Sequence, residues 1–181
     1  MIVKTLAIPD VLCLTPNLFP DERGWFFESF NARKFRDATG VAAEFVQDNV
    51  SRSKKKVLRG LHYQIAQPQG KLVRVSYGAV LDVAVDLRRS SPCFGKWVAM
   101  ELSAENRRQL WIPAGFAHGF VALHDDTEMQ YKTTDYYAPE HERTILWNDP
   151  DLAIDWQIEG IPIVSKKDAE GMPFNRAETY A

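Results

Sequence analysis

The sequence predicts an all-β fold, an antiparallel sandwich or barrel with few short helices. Short apolar runs of strand length, separated by turn residues, dominate the 181-residue chain. The clearest run, 81–87, alternates strictly, with leucine and valine on one face and Asp82 and Asp86 on the other. Only one segment shows convincing helical spacing. Many closely spaced strands with so little helix are typical of antiparallel sandwiches and barrels.

Ten segments have the length and composition of strands. In chain order they are Trp25–Phe30, Glu44–Val50, Val57–Ile65, Lys71–Tyr77, Ala79–Leu87, Trp97–Leu102, Arg108–Ile112, Gly119–Leu123, Glu128–Thr134 and Thr144–Trp147. Gly78 and the segment 92–95 supply turn residues between neighbouring strands.

One helix is predicted to begin near Asn31, because apolar residues recur at helical spacing through Ala32–Ala38 and Gly40 can end the helix. A second short helical piece is expected after Asp168. The C-terminal tail, 175–181, is expected to be peripheral.

Length and composition restrict the class of protein. The chain fits one domain, 1–181, with a sizeable core. A formal net charge of -2 disfavours a general nucleic-acid binder, which usually has a basic surplus. Cys13 and Cys93 lie far apart, so each is predicted to be a free thiol in a reducing compartment. No apolar stretch suits a signal peptide or approaches the ~18 residues of a membrane span, and a cytoplasmic protein is expected.

The segment Arg59–Gln64 places His62 inside an apolar run, and Lys71 opens the next predicted strand. A buried imidazole and a buried ammonium both cost free energy unless they are partnered. Together they suit abstraction of a carbon-bound proton next to a carbonyl, with histidine as the base and lysine holding the developing negative charge. For His62 taken alone, a core histidine with satisfied hydrogen bonds is the alternative. Asp168 is a candidate to orient the imidazole.

Other polar residues point to an anionic ligand. Arg23, in a predicted turn, and Arg59 match a diphosphate, because guanidinium groups bind phosphate through paired hydrogen bonds. Gln47 and Asn49 place two amides on one strand face. Tyr131 lies in a predicted strand and its hydroxyl can donate a proton, although a place in the apolar wall explains a single tyrosine equally well.

The pattern Pro113-x-Gly115-x-x-His118 is typical of cupin barrels, where the turn directs the histidine into the interior. Metal-binding cupins add an earlier His-x-His motif, but this chain has His62-Tyr-Gln64 instead. Two lone histidines make a poor metal site. A cupin barrel without metal is therefore expected, with a metal site as the minor alternative.

Eight motifs together resemble the family of dTDP-4-dehydrorhamnose 3,5-epimerases. They are Asp21-x-Arg23-Gly24, Val57–Gln64, Gly70–Arg74, Leu81–Arg88, Ser91–Trp97, Leu102–Asn106, Pro113–Phe120 and Tyr131–Pro139. The resemblance runs from the first strand to Asp168 and implies a cupin-type jelly-roll β-barrel.

The resemblance also implies roles for the candidate residues. His62 would remove the protons at C3 and C5 of a 4-keto sugar, with Asp168 paired to it. Lys71 would stabilise the enolate oxygen at C4, and Tyr131 would return a proton from the opposite face. Tyr137 would stack on the thymine ring. The substrate-binding residues implied are Arg23, Glu28, Gln47, Asn49, Arg59, His118, Tyr137, Glu142 and Lys167.

The implied reaction converts dTDP-4-dehydro-6-deoxy-D-glucose into dTDP-4-dehydro-L-rhamnose, in dTDP-L-rhamnose biosynthesis for polysaccharides such as lipopolysaccharide O antigen. No cofactor and no metal are implied, because the ketone itself is the electron sink. The resemblance implies a homodimer in which residues near the N-terminal strands enter the neighbour's site, with no nucleic-acid or membrane partner. Two alternatives remain: an enzyme that inverts only C3 or only C5, and a non-catalytic cupin that binds sugar nucleotides.

Overall fold

A computed structural model describes all 181 residues and contains thirteen strands with two short α-helices. The strands are β1 Ile2–Thr5, β2 Leu12–Thr15, β3 Phe19–Asp21, β4 Gly24–Phe26, β5 Gln47–Ser53, β6 Leu58–Gln64, β7 Lys71–Tyr77, β8 Ala79–Asp86, β9 Trp97–Ser103, β10 Gln109–Ile112, β11 Phe116–Ala122, β12 Thr127–Thr133 and β13 Glu142–Thr144. Every pairing between these strands is antiparallel, so the all-β prediction is confirmed.

Two large sheets carry the fold. The six-stranded sheet has the order β1-β2-β10-β7-β12-β5, and the five-stranded sheet has the order β13-β6-β11-β8-β9. Strands β3 and β4 form a separate hairpin. The two large sheets share no strand, so hydrogen bonds do not close them into one continuous barrel.

The helix predicted near Asn31 is confirmed as α1, Ala32–Thr39. The Asn31 side chain caps it by accepting a hydrogen bond from the Lys34 amide, and Gly40 ends it at φ 72°, a left-handed conformation that favours glycine. The second helix, α2, spans Lys166–Ala169. No helix is long and apolar enough to cross a membrane.

Several predicted boundaries were wrong. Helix α2 contains Asp168 instead of following it, because the Ser165 hydroxyl caps the helix by accepting from the Asp168 amide. Strand β5 begins three residues later than predicted and continues to Ser53, because its backbone pairs with β12 along the full length of that strand. The predicted strand at 25–30 ends at Phe26, and β13 ends at Thr144. Strands β1 to β3 were not predicted.

The apolar core has two main parts. One cluster fills the space between the sheets and includes Val73, Phe120 and Met129. A second cluster lies between the outer face of the five-stranded sheet and the C-terminal segment, so that both faces of β8 are buried. This corrects the expectation of a peripheral tail. The Tyr180 hydroxyl donates to the Gln64 carbonyl at 2.5 Å, and the Tyr180 backbone bonds to the chain after β8.

Candidate active site

A cleft of about 510 Å³ opens between the sheets and collects most of the predicted site residues. Those that line it are Arg59, His62, Lys71, His118, Tyr131, Tyr137, Glu142, Lys167 and Asp168. An adjoining pocket of about 270 Å³ shares five of these residues and adds Gln47 and Asn49. The cleft therefore draws on β5, β6, β7, β11, β12, β13 and α2.

His62 and Asp168 form a hydrogen-bonded pair although 106 residues separate them. The distance between His62 Nε2 and Asp168 Oδ1 is 2.5 Å. Asp168 is buried, which opposes ionisation, but the hydrogen bonds from His62 and Ser165 and the charge of Lys167 hold the pKa of its carboxyl below the ordinary value. An ionised carboxylate bonded to Nε2 fixes the orientation of the imidazole ring. The other ring nitrogen, Nδ1, is then free to accept a proton.

Lys71 is buried at the start of β7, and its ammonium makes no hydrogen bond or salt bridge within the chain. Burial lowers the pKa of Lys71 to about 8, an effect that the negative charges of Asp82 and Glu142 oppose and that Lys167 reinforces. Near neutral pH the cleft thus contains an unpaired ammonium that can bind an anionic oxygen.

His118 is a second imidazole held by a carboxylate. Its Nε2 lies 2.9 and 3.0 Å from the two carboxylate oxygens of Asp82, which is fully buried in β8. Burial raises the pKa of Asp82, while His118 and Lys71 act in the opposite direction. The sequence placed Asp82 on a face of alternating carboxylates but gave it no role. The sequence signal that could have singled out Asp82 is a charged residue within an otherwise apolar strand, because charged residues are rarely buried without a partner.

Tyr131 projects from β12 into the cleft. Burial raises its pKa, Arg59 partly offsets this, and Glu142 and Tyr137 raise it further. Arg59 is the cation that lowers the pKa of Tyr131, and the net shift is upward. A raised pKa keeps the phenol protonated, which is the form that donates a proton.

Hydrogen bonds fix the polar groups around the cleft. The Arg59 guanidinium donates through Nε to Ser53 Oγ at 3.1 Å. Gln47 donates to Asn49 Oδ1 at 2.9 Å and accepts from the Tyr137 amide at 3.0 Å. These contacts hold the two amides of β5 and the backbone after β12 in one arrangement.

Glu142 joins two further cleft residues. Its carboxylate accepts from the Tyr137 hydroxyl at 3.2 Å and from Lys167 Nζ at 3.0 Å. Gln64, which the sequence did not single out as a site residue, holds the loop that carries Tyr137. It donates to the Tyr136 carbonyl at 3.2 Å and accepts from the Ala138 amide at 2.9 Å.

This arrangement combines an imidazole, an unpaired ammonium and a protonated phenol in one cleft. Removal of a proton next to a carbonyl needs a base and a partner for the enolate oxygen, and reprotonation needs an acid. No group of three or more histidine, cysteine, aspartate or glutamate side chains is placed to hold a metal ion.

The family model for dTDP-4-dehydrorhamnose 3,5-epimerase matches residues 5–176. The chain belongs to this family. The chain is 61% identical to the dTDP-4-dehydrorhamnose 3,5-epimerase of Pseudomonas aeruginosa over 175 aligned residues. The alignment covers 97% of each sequence. The resemblance noted in the sequence is therefore confirmed.

Solved structures of related epimerases share the fold. The dTDP-6-deoxy-D-glucose-3,5-epimerase of Legionella pneumophila Philadelphia 1, in complex with dTDP-4-keto-L-rhamnose, matches with a TM-score of 0.94 and 50% identity, over 97% of this chain and 94% of that one. A 3'-monoepimerase from Streptomyces bikiniensis, in complex with dTDP-quinovose, matches with a TM-score of 0.88 and 34% identity, over 94% and 87%. The cupin-type fold is thus confirmed.

Two of the predicted site residues, Arg23 and Glu28, do not line the cleft. Arg23 is in the turn of the β3–β4 hairpin, where its side chain is 85% exposed and pairs with Asp21 at 2.6 Å. Glu28 follows the hairpin and binds Lys34 at 3.0 Å. Neither residue lines the cleft that contains His62.

Proposed function

We propose that this epimerase inverts C3 and C5 of dTDP-4-dehydro-6-deoxy-D-glucose to give dTDP-4-dehydro-L-rhamnose. The observation that carries the proposal is the meeting of His62, Lys71 and Tyr131 in one cleft, with Asp168 behind the histidine. The same reaction is the one named for close relatives of the chain.

In the proposed mechanism, both protons that leave are alpha to the C4 ketone. His62 removes a proton, and the electron pair moves into the carbonyl to give an enolate. Lys71 stabilises the enolate oxygen through its unpaired ammonium. Tyr131 then donates a proton to the carbon from the opposite face, which inverts the centre. The ketone is the electron sink at both carbons, so one base and one cation serve twice.

The nucleotide is assigned to the polar rim. Arg59 is proposed to bind the diphosphate, because a guanidinium edge matches two phosphate oxygens. Gln47 and Asn49 are proposed to contact the ligand from the adjoining pocket. Tyr137 offers a half-exposed ring for stacking on thymine, and its hydroxyl is held by Glu142. His118 and Lys167 complete the proposed contacts.

A second copy of the chain is proposed to complete each site. The β3–β4 hairpin exposes Phe19, Trp25 and Phe26, with 67% of Phe26 accessible. An exposed apolar cluster of this kind is typical of a protein interface. If the hairpin packs on a neighbour, Arg23 and Glu28 can reach that neighbour's cleft, which accounts for their position outside their own. The proposed assembly is a homodimer.

Inversion of a single centre is the second candidate. It is favoured by the structural match to the 3'-monoepimerase of Streptomyces bikiniensis. A purely binding cupin is disfavoured, because diphosphate binding has no need of a base, an enolate partner and an acid in the same cleft.

Deuterium incorporation tests the proposal. The enzyme is incubated with dTDP-4-dehydro-6-deoxy-D-glucose in D2O, and NMR follows deuterium at C3 and at C5. Incorporation at both carbons with formation of the L-rhamno product supports the double epimerisation. Incorporation at one carbon identifies a single-centre epimerase, and incorporation at neither carbon contradicts catalysis.

A further inference from the structure

The chain segment that carries Asp168 is tied at two places to the pair of strands that carries His62. Before α2, the Ile163 carbonyl accepts a hydrogen bond from the Leu58 amide at 2.9 Å, at the start of β6. After α2, Met172 bonds to the chain at the end of β13. Asp168 lies between these two anchors and only a few residues from each of them.

The second anchor lies beside the base itself. The Met172 amide donates to the Thr144 carbonyl at 2.8 Å, and the Met172 carbonyl accepts from the Leu146 amide at 3.0 Å. Thr144 is the residue of β13 that lies directly opposite His62 on β6. A displacement of the Met172 backbone would therefore move the chain that leads back to Asp168 relative to the imidazole.

Gly171 fits into this anchor because it has no side chain. A Cβ atom at this position would lie 2.8 Å from the Ile145 carbonyl carbon, 2.8 Å from the Leu146 nitrogen and 3.0 Å from the Ile145 oxygen. These are backbone atoms, and Ile145 is itself held by two hydrogen bonds with Leu61, at 3.0 and 3.2 Å. Since this backbone cannot yield, a side chain at 171 would push the C-terminal segment outward.

Space alone selects glycine at this position. Gly171 is not among the glycines with a left-handed backbone conformation, so alanine can adopt the same backbone angles. A change from glycine to alanine therefore adds one methyl group at the contact without adding backbone strain.

The contact between Asp168 and His62 has little tolerance for such a displacement. The two side chains meet at 2.5 Å, and hydrogen bonds weaken steeply as their geometry departs from the ideal. Non-bonded carbon atoms are optimally about 3.5–4.0 Å apart, so a Cβ atom at 2.8 Å calls for a shift on the order of half an ångström. Catalytic groups have to be held within about 0.5 Å of their productive geometry.

We propose that Gly171 is a positioning residue: it lets the C-terminal segment lie directly against the chain after β13, and so sets the separation of the Asp168 carboxylate from the His62 imidazole. The inference rests on the proposed function and deepens it, because it assigns the alignment of the base to a residue that does not line the cleft.

The test compares Gly171→Ala with wild type and with Met172→Ala. Met172 is the matched control, because its side chain is 49% exposed and its truncation leaves the backbone hydrogen bonds of the anchor in place. Turnover gives kcat and the Michaelis constant, calorimetry gives the affinity for dTDP, and thermal unfolding checks that each variant folds.

Proton NMR of the ligand-free enzyme reports the contact directly. An imidazole proton shared with a carboxylate in a short hydrogen bond resonates far downfield, and the signal of the His62–Asp168 pair is assigned by its loss in His62→Asn. In Gly171→Ala this signal should move upfield or broaden, because the hydrogen bond lengthens. The signal of the His118–Asp82 pair should stay in place and is the internal reference.

The kinetic effect should fall on kcat. A misplaced orienting group should lower kcat of Gly171→Ala about ten- to a hundredfold, whereas the affinity for dTDP stays near wild type. Met172→Ala should match wild type in all of these measurements. A parallel loss of dTDP affinity in Gly171→Ala would indicate general distortion of the cleft and overturn the positioning role.

A measurement on the wild type covers the case in which Gly171→Ala does not fold. Hydrogen exchange reports the opening of the Met172 amide from Thr144, and the downfield signal reports the contact between His62 and Asp168. If the anchor sets the contact, both should be lost in the same opening event. A Met172 amide that exchanges through local opening while the downfield signal persists would overturn the inference.

The outcomes separate this inference from the proposed function. If wild type epimerises the sugar and Gly171→Ala keeps both the downfield signal and kcat, the inference is overturned and the proposed function stands. A lower kcat with an unchanged downfield signal would also overturn it, because the alignment of Asp168 would then be intact. If wild type does not epimerise the sugar, the proposed function is overturned, whereas the downfield signal still decides whether Gly171 sets the contact.

Discussion

His62 and His118 lie directly opposite each other on the neighbouring strands β6 and β11, and each imidazole is held by a buried carboxylate. The two pairs differ in access. The His62 side chain is 24% exposed and its partner is Asp168, whereas the His118 side chain is 9% exposed and its partner is Asp82. The more accessible ring is the one suited to proton transfer with a substrate, and the more enclosed ring is suited to fixed hydrogen bonding.

Replacement of His62 tests this assignment. His62→Asn keeps a polar side chain but removes the base, so kcat should fall by about 10²–10⁴-fold. Deuterium incorporation at both sugar carbons should be lost together with turnover, because one base serves both centres. Affinity for dTDP, measured by calorimetry, should be nearly unchanged and is the control for folding. Exchange at close to the wild-type rate in His62→Asn would show that another group is the base.

The charge of Lys71 predicts a pH dependence. The pKa of Lys71 is lowered to about 8, so the ammonium is present below that pH and is lost as the pH rises through it. The rate of the chemical step should therefore fall on the alkaline side with a midpoint near pH 8. The charged or titratable groups around Lys71 are Asp82, Glu142, Lys167, His62, His118 and Tyr131.

Asp82 offers the matched variant for this prediction. Its negative charge raises the pKa of Lys71, so Asp82→Asn should move the alkaline midpoint to lower pH. The measurement is kcat against pH for wild type and Asp82→Asn, with circular dichroism to confirm folding. An alkaline limb that stays in place in the variant would show that a group other than Lys71 sets it.

Arg59 and Arg52 form a useful pair of variants on one side of the molecule. Arg59 lines the cleft, whereas the Arg52 side chain is exposed and pairs with Asp126 at 3.0 Å. Arg59→Ala should raise the Michaelis constant more than it lowers kcat, provided that the diphosphate is held equally in the ground and transition states. Arg52→Ala should leave both constants near wild type. Equal dTDP affinity in Arg59→Ala and wild type would contradict the diphosphate role.

Local sequence signals were sufficient for some elements and not for others. Strand β7 was predicted with its observed bounds, because Gly70 and Gly78 limit a continuous run of strand-forming residues. Strands β1 to β3 are only three or four residues long and contain little periodicity, so no pattern distinguishes them from loop. Strand β1 pairs with β2, β2 pairs with the distant β10, and β3 pairs with β4, and the pattern of a single short segment does not reveal such partners.

The site shows the same division. His62 and Lys71 became candidates because a histidine and a lysine stand in apolar surroundings in the sequence. Burying such groups costs free energy unless a partner compensates them. The contact of His62 with Asp168 depends on the path of the C-terminal segment, and spacing alone did not determine it. Gln64 was missed because its role depends on the backbone groups of Tyr136 and Ala138, which surround it only after folding.

Tyr131 allows the sharpest separation of two roles, because inversion and exchange need different groups. A base that removes a proton and returns it to the same face exchanges hydrogen with solvent but does not invert the carbon. Inversion needs a donor on the other face, and the pKa of Tyr131 is raised by burial, so its phenol keeps its proton at neutral pH. Tyr131→Phe removes the hydroxyl and keeps the ring, so the packing of Tyr131 against the core between the sheets should be preserved.

In this variant, deuterium exchange catalysed by His62 should continue while epimerised product falls steeply. The measurement is the ratio of product to deuterium incorporation by NMR, because a ratio is insensitive to the fraction of active enzyme. A tyrosine that serves only as an apolar wall would lower both signals together and leave the ratio at its wild-type value. That result would assign the acid elsewhere, and Tyr137→Phe is the matched variant to examine next, since Tyr137 lines the same cleft with its hydroxyl bound to Glu142.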